Sequence, residues 1–236
     1  MGGCKHSRGR YGTQNETHEE KNKFMGLPQH KTYTWHDYQT WDDDDHRCEL
    51  IDGEIFDMSP APRTSHQRIS IKLASAFDRF FQGKRCQPFA APTDVVLSEH
   101  DVVQPDLFVV CDPNQIKETH IEGAPALAVE ILSPSTRSID RVHKIRLYAR
   151  AGVKEYWIIS PEDGSAELFL LNNGKYTLEQ SLEAHETLTS PSFPGLKIPL
   201  AKIFPPPAPK LELREDAEPY GAAPRKKKPA RHPAKK

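Results

Sequence analysis

QPDLFVV at residues 104–110 and ALAVEIL at residues 126–132 are the two apolar runs that decide the fold of this chain. Each has the length and the hydrophobic content of a buried β-strand. Each also carries one carboxylate, Asp106 in the first run and Glu130 in the second. An ionised carboxylate is rarely buried unless it is paired or binds a metal. These two acids are therefore the leading candidates for a functional site.

The composition predicts one compact domain with unstructured ends. The chain has 236 residues, of which 36% are hydrophobic and 21 are proline, and the low hydrophobic fraction is explained if the ends do not fold. We assign residues 1–30 to a disordered tail, residues 31–205 to the folded domain, and residues 206–236 to a disordered Pro-rich, basic tail. The formal net charge of −1 gives no argument for or against nucleic-acid binding.

The C-terminal tail is strongly basic. Its candidate contacts to nucleic acid are Lys226, Lys227 and Lys228. Binding through such phosphate contacts would weaken steeply as the salt concentration rises. The alternative is that the tail only keeps the chain in solution.

The cysteines and the hydropathy pattern predict a cytoplasmic protein that does not associate with membranes. The four cysteines are far apart and show no C-x-x-C spacing, so we interpret them as free thiols in a reducing compartment. No apolar run has the length of a membrane helix, and the N-terminus lacks the apolar segment of a secretory signal. A lipidation motif at Met1-Gly2-Gly3-Cys4 fails because His6 occupies the Ser/Thr position.

The first half of the domain is predicted to contain a hairpin and a long helix. Residues 48–58 are predicted to form a β-hairpin whose two-residue turn is Asp52-Gly53, a pair that favours such turns. Residues 66–81 follow a helical period. The expected inward positions are Ile69, Leu73, Ala76 and Phe80. His66 falls on the same face, where a histidine is most often a satisfied core group, but its place near the acidic strands makes a functional role the alternative.

The second half is predicted to be a mixed sheet with helices. We expect antiparallel strands at 89–97 and 102–110, joined by a turn at 98–101. The later elements follow in order: a central strand at 126–132, a helix at 137–151, a strand at 153–159, and a hairpin pairing 166–171 with 176–180. This order predicts an α/β fold (an α+β mixed sheet) with helices on the sheet faces and flanking hairpins.

The helix at 137–151 carries two stripes. One contains Ile139, Val142, Ile145 and Ala149, and the other contains Asp140, Lys144, Leu147 and Ala151. Because Lys144 is in line with apolar residues, it indicates a structural or functional site. The alternative is an ordinary surface ion pair between Asp140 and Lys144.

Other motifs give weaker signals. The run Asp42–Asp45 resembles a metal site but is more typical of a solvated loop. Phosphate-binding loops are absent, so no nucleotide cofactor is expected. Ser133 and Ser135 lack a G-x-S-x-G context and are interpreted as cap and turn residues.

The acidic strands and Lys144 together predict phosphodiester chemistry. If the two strands are neighbours, Asp106 and Glu130 can share one Mg²⁺ or Mn²⁺, an ion that takes one or two carboxylates together with waters and phosphate oxygens. Such an ion stabilises charge on a phosphate and lowers the pKa of a bound water. Lys144 could position or deprotonate that water.

The same residues carry a resemblance to a known family. The motifs are ELIDGE at 49–54, SHQ at 65–67, VQPD at 103–106, VEILSPST at 129–136, Lys144, and YARAGVKEYW at 148–157. In order and spacing they resemble the Uma-two family of restriction endonucleases, within the PD-(D/E)XK nuclease superfamily. The resemblance covers about residues 30–205.

This resemblance implies a restriction-endonuclease-like fold and metal-dependent cleavage of DNA. Asp106 and Glu130 match the family's metal-binding carboxylates, and His66 and Glu49 match supporting positions. Lys144 matches a lysine displaced to the helix, since Leu132 stands where the superfamily usually has it. Asp140, one turn before Lys144, is a further supporting candidate. The family also implies a homodimer. The alternative function is a weak or inactive nuclease-fold module that binds nucleic acid or a partner protein.

Overall fold

The computed structural model describes residues 31–41, 47–58, 62–134 and 139–204. Both predicted tails, the acidic run Asp42–Asp45 and the candidate residues Lys226, Lys227 and Lys228 lie outside these ranges. None of the described helices is long and apolar enough to cross a membrane.

The described residues form thirteen strands and a small set of helices. The strands are β1 (Cys48–Ile51), β2 (Glu54–Asp57), β3 (Gln87–Ala90), β4 (Asp94–Ser98), β5 (Asp101–Val103), β6 (Leu107–Val110), β7 (His120–Glu122), β8 (Leu127–Ile131), β9 (Glu155–Ser160), β10 (Ser165–Asn172), β11 (Lys175–Glu183), β12 (Thr187–Thr189) and β13 (Lys197–Pro199). The helices are α1 (Trp35–Gln39), α2 (Thr64–Phe81), a 3₁₀ turn (Pro113–Gln115), a π-helix (Ile139–Lys144), α3 (Ile145–Ala151) and α4 (Leu200–Ile203).

A six-stranded mixed sheet forms the centre of the domain. Its order is β11-β10-β9-β8-β6-β3, in which β8 runs parallel to β9 and antiparallel to β6. A second sheet has the order β2-β1-β5-β4-β7, and β12 pairs with β13. The mixed sheets and the helices confirm the predicted fold class, and the two hairpins form through Asp52-Gly53 and Asn173-Gly174 as expected.

Alternation along the central strands builds two hydrophobic cores. Leu107 and Val129 face a core that also contains α2, α4 and the β12–β13 pair. Phe108 and Ala128 face the opposite core, which contains α3 and residues of the second sheet. Apart from Glu130, the strands β6 and β8 are apolar along their whole length because both of their faces are covered.

Two predicted strands are each divided between the sheets. In place of one strand at 89–97, β3 ends at Ala90 and β4 begins at Asp94. In place of one strand at 102–110, β5 ends at Val103 and β6 begins at Leu107. Pro92 and Pro105 fall in the two gaps, and proline cannot donate to a sheet ladder. The second gap places Asp106 immediately before β6, where its side chain accepts from the backbone N–H of Ile131 in β8.

The inward face of α2 agrees with the prediction at His66, Ile69 and Leu73 and differs from it in the last two turns. Its buried residues are His66, Ile69, Leu73, Phe77 and Phe81. Ala76 and Phe80 only flank this stripe and are partly buried. The face continues at Phe77 and Phe81 because two further i+4 steps from Leu73 keep it over the sheet.

The interpretation of all the cysteines as free thiols is wrong, because Cys86 and Cys111 form a disulfide. The antiparallel register of β3 and β6 pairs Gln87 with Val110, and one more step sets the two cysteines opposite each other. Their separation of 25 residues hid this pairing in the sequence. Cys48 is buried, and Cys4 lies outside the described residues.

Removing the disulfide should destabilise the domain. We expect the double substitution C86A/C111A to lower the free energy of unfolding by about 2–4 kcal/mol, because the link restricts the unfolded chain. Urea unfolding of both proteins, with and without reductant, measures this. Reductant should bring the wild type down to the double variant and leave the variant unchanged. A wild type that is insensitive to reductant would contradict the expectation.

Candidate active site

Asp106 lies immediately before β6, and its side chain contacts residues of both β8 and α2. The backbone N–H of Ile131 in β8 donates to Asp106 Oδ2 at 2.8 Å. Nε2 of His66, in the first turns of α2, lies 3.1 Å from the same oxygen. A carboxylate only accepts, so His66 Nε2 carries the hydrogen of this bond. The predicted inward position of His66 is confirmed, and the structure places it against Asp106.

Glu130 lies in the same part of the sheet. The β6–β8 register pairs Leu107 with Val129, and one further step sets Asp106 opposite Glu130. Glu130 is 3% exposed, and its Oε1 accepts from Lys144 Nζ at 2.9 Å and from the Tyr148 hydroxyl at 2.7 Å. The condition set from the sequence, that the two acidic strands are neighbours, is therefore met.

Lys144 is buried among three carboxylates. Its Nζ lies 2.9 Å from Glu130 Oε1, 2.9 Å from Glu49 Oε1 and 3.5 Å from Asp140 Oδ1. Only 3% of its side chain is exposed. The Asp140–Lys144 pair is thus part of a buried cluster and not a surface pair. In this cluster β1, β8 and the π-helix meet at one ammonium group.

Asp140 and Lys144 both point inward because residues four apart lie on one face of a helical turn, which is here a π-helix. Leu147 and Tyr148 of α3 continue the buried face, while Val142 of the other predicted stripe is 43% exposed. The helix ends at Gly152, whose φ of 89° is the left-handed conformation that glycine adopts without strain.

Burial and charge shift the pKa values of the cluster. Burial alone would lower the pKa of Lys144, but the carboxylates of Glu130, Glu49 and Asp140 outweigh it and hold the pKa well above its usual value. Burial raises the pKa of Glu130 well above its ordinary range; Asp140, Asp106 and Glu49 add to this, and Lys144 opposes it. Lys144 therefore stays protonated at neutral pH, which favours a role as a fixed positive charge over a role as a base.

The predicted catalytic and supporting residues line one pocket. It opens between β1, β2, α2, β8 and the π-helix, and its cavity has a volume of about 60 Å³. The six predicted residues at this pocket are Glu49, His66, Asp106, Glu130, Asp140 and Lys144. A cavity of this size can hold an ion with a few waters.

The donor chemistry of the pocket suits a hard divalent cation. Among the described residues, no group of three His, Cys, Asp or Glu side chains is already arranged around a metal position. The hydrogen bonds of Asp106 use Oδ2 and those of Glu130 use Oε1. The described part of the chain brings no donor to Asp106 Oδ1 or Glu130 Oε2. Two such carboxylate oxygens, completed by water, are a ligand set that Mg²⁺ accepts.

Three further residues belong to the site and were not singled out from the sequence. Tyr148 donates to Glu130. Arg47 lies at the pocket and donates twice to Gln104, through Nε at 2.9 Å and Nη2 at 2.6 Å. Gln104 in turn donates its backbone N–H to Glu49 Oε1 at 2.8 Å. Tyr148 and Gln104 both fall inside the quoted motifs, but periodicity gives no signal for contacts between residues so far apart in sequence.

Comparison with known proteins finds a relative in sequence and a relative in fold. An uncharacterized protein of Synechocystis sp. is 29% identical over 171 residues, which cover 71% of this chain and 89% of the relative. The crystal structure of a "putative nuclease belonging to DUF820" from Anabaena variabilis matches 72% of this chain and 97% of its own, with a TM-score of 0.60 and 20% identity. At that identity the likeness shows a shared fold.

A family model matches the chain over a similar range. The model of the Uma2 family, described as "Putative restriction endonuclease", matches residues 35–201. This range covers most of the chain and includes every residue of the pocket. The chain therefore belongs to the Uma2 family and has the fold of a nuclease-like protein.

Proposed function

We propose that this protein is a divalent-metal-dependent endonuclease that hydrolyses phosphodiester bonds of DNA in the pocket around Asp106 and Glu130. One observation carries the proposal. Two acids from neighbouring strands converge on a pocket, and each keeps one carboxylate oxygen that accepts no hydrogen bond from a described residue. The membership of a family described as restriction endonucleases supports DNA as the substrate.

Each residue has a distinct part in the proposed reaction. Asp106 Oδ1 and Glu130 Oε2 would hold Mg²⁺ or Mn²⁺, which supplies charge stabilisation at the phosphate and lowers the pKa of a water. His66 and the Ile131 N–H fix the Asp106 carboxylate by binding its other oxygen. Lys144 and Tyr148 do the same for Glu130. Because both acids are held in place before substrate arrives, no reorganisation is needed at the moment of reaction.

Plasmid nicking tests this proposal. With Mg²⁺ or Mn²⁺, purified protein should convert supercoiled DNA to the nicked form, and a chelator should stop it. The variant D106N should lose at least about 100-fold in rate, equivalent to about 2.7 kcal/mol of transition-state stabilisation. The exposed Asp78 of α2 offers a matched control, D78N, which should cut at the wild-type rate. No cleavage by wild type, or equal cleavage by D106N, would contradict the proposal.

A second candidate is a nuclease-fold module that binds nucleic acid or a partner protein without cleaving. Two observations favour it: Leu132 is 3% exposed and packs in the apolar core, and Lys144 is fully engaged by carboxylates. Among the described residues that line the pocket, no lysine is then available to an incoming phosphate. Calorimetry with Mg²⁺ separates the two candidates. The endonuclease should bind the ion and lose that binding in D106N, whereas the module should show no metal affinity at these acids.

A further inference from the structure

The acidic character of the pocket raises the question of how a polyanion approaches it. Among the described residues that line it, Arg47 and Lys144 are the only permanently cationic side chains. Lys144 is 3% exposed and is shared by three carboxylates, so it is not available to an incoming phosphate. Arg47 is exposed, and no carboxylate of the described residues pairs with it. The accessible positive charge at the pocket is therefore Arg47.

Gln104 holds the Arg47 guanidinium in a defined orientation. Its Oε1 accepts from both Nε and Nη2 of Arg47, and its Nε2 donates to Asp94 Oδ1 at 2.9 Å. Because the acceptor faces arginine and the donor faces aspartate, the orientation of the amide is fixed by its partners. Gln104 is 8% exposed, so this anchor is built into the protein interior.

The anchored guanidinium keeps a free edge. Arginine has five N–H donors, and the two bonds to Gln104 leave three of them, on Nη1 and Nη2. Two parallel N–H groups on one edge match the spacing of two phosphate oxygens. A neutral amide anchor leaves the positive charge intact, whereas a carboxylate anchor would have neutralised it.

We propose that Arg47, positioned by Gln104, is a DNA-binding residue that binds a backbone phosphate at the entrance of the pocket. The inference rests on the proposed function for its choice of DNA as the polyanion. The same Gln104 donates its backbone N–H to Glu49 and lies two residues before Asp106. The segment Gln104–Asp106 therefore positions both Arg47 and the acidic residues. It sets the distance between the phosphate that Arg47 would bind and the carboxylates.

Binding to duplex DNA, measured without any divalent cation, tests the inference independently of cleavage. The full-length chain carrying E130Q is titrated against a fluorescein-labelled duplex of about 20 base pairs, and anisotropy is followed at several NaCl concentrations. The substitution R47Q should raise Kd about 10- to 100-fold, as expected for the loss of charge-assisted hydrogen bonds. It should also reduce the slope of log Kd against log salt by about 0.9, the value of one phosphate contact.

Two comparison variants make the result specific. R79Q removes the same charge from the exposed last turn of α2, which lies about 20 Å along the helix from His66, and should change Kd less than threefold. R47K keeps the charge but cannot make bidentate hydrogen bonds to a phosphate. It should therefore retain the slope of log Kd against log salt and lose part of the affinity. Circular dichroism checks that every variant is folded.

The outcomes separate this inference from the proposal of cleavage. Equal losses in R47Q and R79Q, an unchanged salt slope in R47Q, or no DNA binding by the parent would overturn the role of Arg47. A wild type that fails to nick plasmid, while R47Q shows the specific loss of binding, would end the proposal of hydrolysis and leave the Arg47 assignment standing.

Discussion

Replacing Glu130 with glutamine should abolish DNA cleavage and at the same time stabilise the protein at neutral and alkaline pH. The amide keeps an oxygen at the Oε1 position, so Lys144 and Tyr148 can still donate to it. Its NH₂ group replaces Oε2, which accepts no hydrogen bond from a described residue. Activity is lost because the proposed metal ligand is gone, and we expect a fall of at least about 100-fold in nicking rate.

The gain in stability follows from the raised pKa of Glu130. Burial and the nearby acids keep this group protonated to higher pH in the folded protein than in the unfolded chain. Above the unfolded pKa the folded state therefore binds more protons, and stability falls as the pH rises through the folded pKa. Each pKa unit by which folding raises the pKa of Glu130 lowers the free energy of unfolding above the folded pKa by about 1.4 kcal/mol. Glutamine does not ionise, so the variant avoids this loss.

Thermal unfolding between pH 5 and pH 8 measures the effect. The difference in Tm between E130Q and wild type should be small at pH 5 and should grow in favour of the variant towards pH 8. The exposed Glu179 supplies a control, E179Q, which should show no such trend. A variant that is less stable than wild type by the same amount at every pH would contradict this account.

Replacing Lys144 with methionine should have the opposite effect and destabilise the domain severely. Methionine fills a similar volume but removes the one ammonium shared by Glu49, Glu130 and Asp140. Breaking a buried ion pair from one side costs about 3–5 kcal/mol, because the remaining charges stay buried without compensation. Urea unfolding at neutral pH measures this loss.

The pH dependence and a double variant sharpen this test. The raised pKa of Lys144 means that its contribution is complete below the unfolded lysine pKa and is lost only as the pH rises through the folded value, so the wild type keeps it throughout the neutral range. The double variant K144M/E130Q should recover part of the loss, since one buried charge disappears. The exposed Lys154 provides the control K154M, for which we expect less than about 0.5 kcal/mol. Equal stability of K144M and K154M would rule out a structural role for the cluster.

The sequence predicted the central strand and its acid because both signals are local. A short apolar run between turn residues is enough to identify β8, and Glu130 stands out within it. The stripe of Asp140, Lys144 and Leu147 likewise placed the lysine on a buried face. In each case the apolar pattern that predicts burial and the charged residue that stands out from it belong to the same strand or helix.

The errors arose where the fold depends on register or on distant contacts. The pairing of Cys86 with Cys111 follows from the β3–β6 register, which the sequence does not display. The sequence predicted a regular α-helix over residues 137–151, whereas Ile139–Lys144 form a π-helix and Val142 is 43% exposed. The bond from Arg47 to Gln104 joins residues 57 positions apart, and no local pattern predicts this contact, although Gln104 lies in a quoted motif.

The π-helix makes the buried charge cluster sensitive to a change of one codon. Deleting one residue between Asp140 and Lys144 would let the turn relax to α-helical geometry. Asp140 would then lie three positions before Lys144, about 60° around the helix axis from it. The hydrophobic packing of α3 would survive while the acid turned away from the ammonium of Lys144, so a single in-frame deletion could weaken the cluster without rebuilding the core.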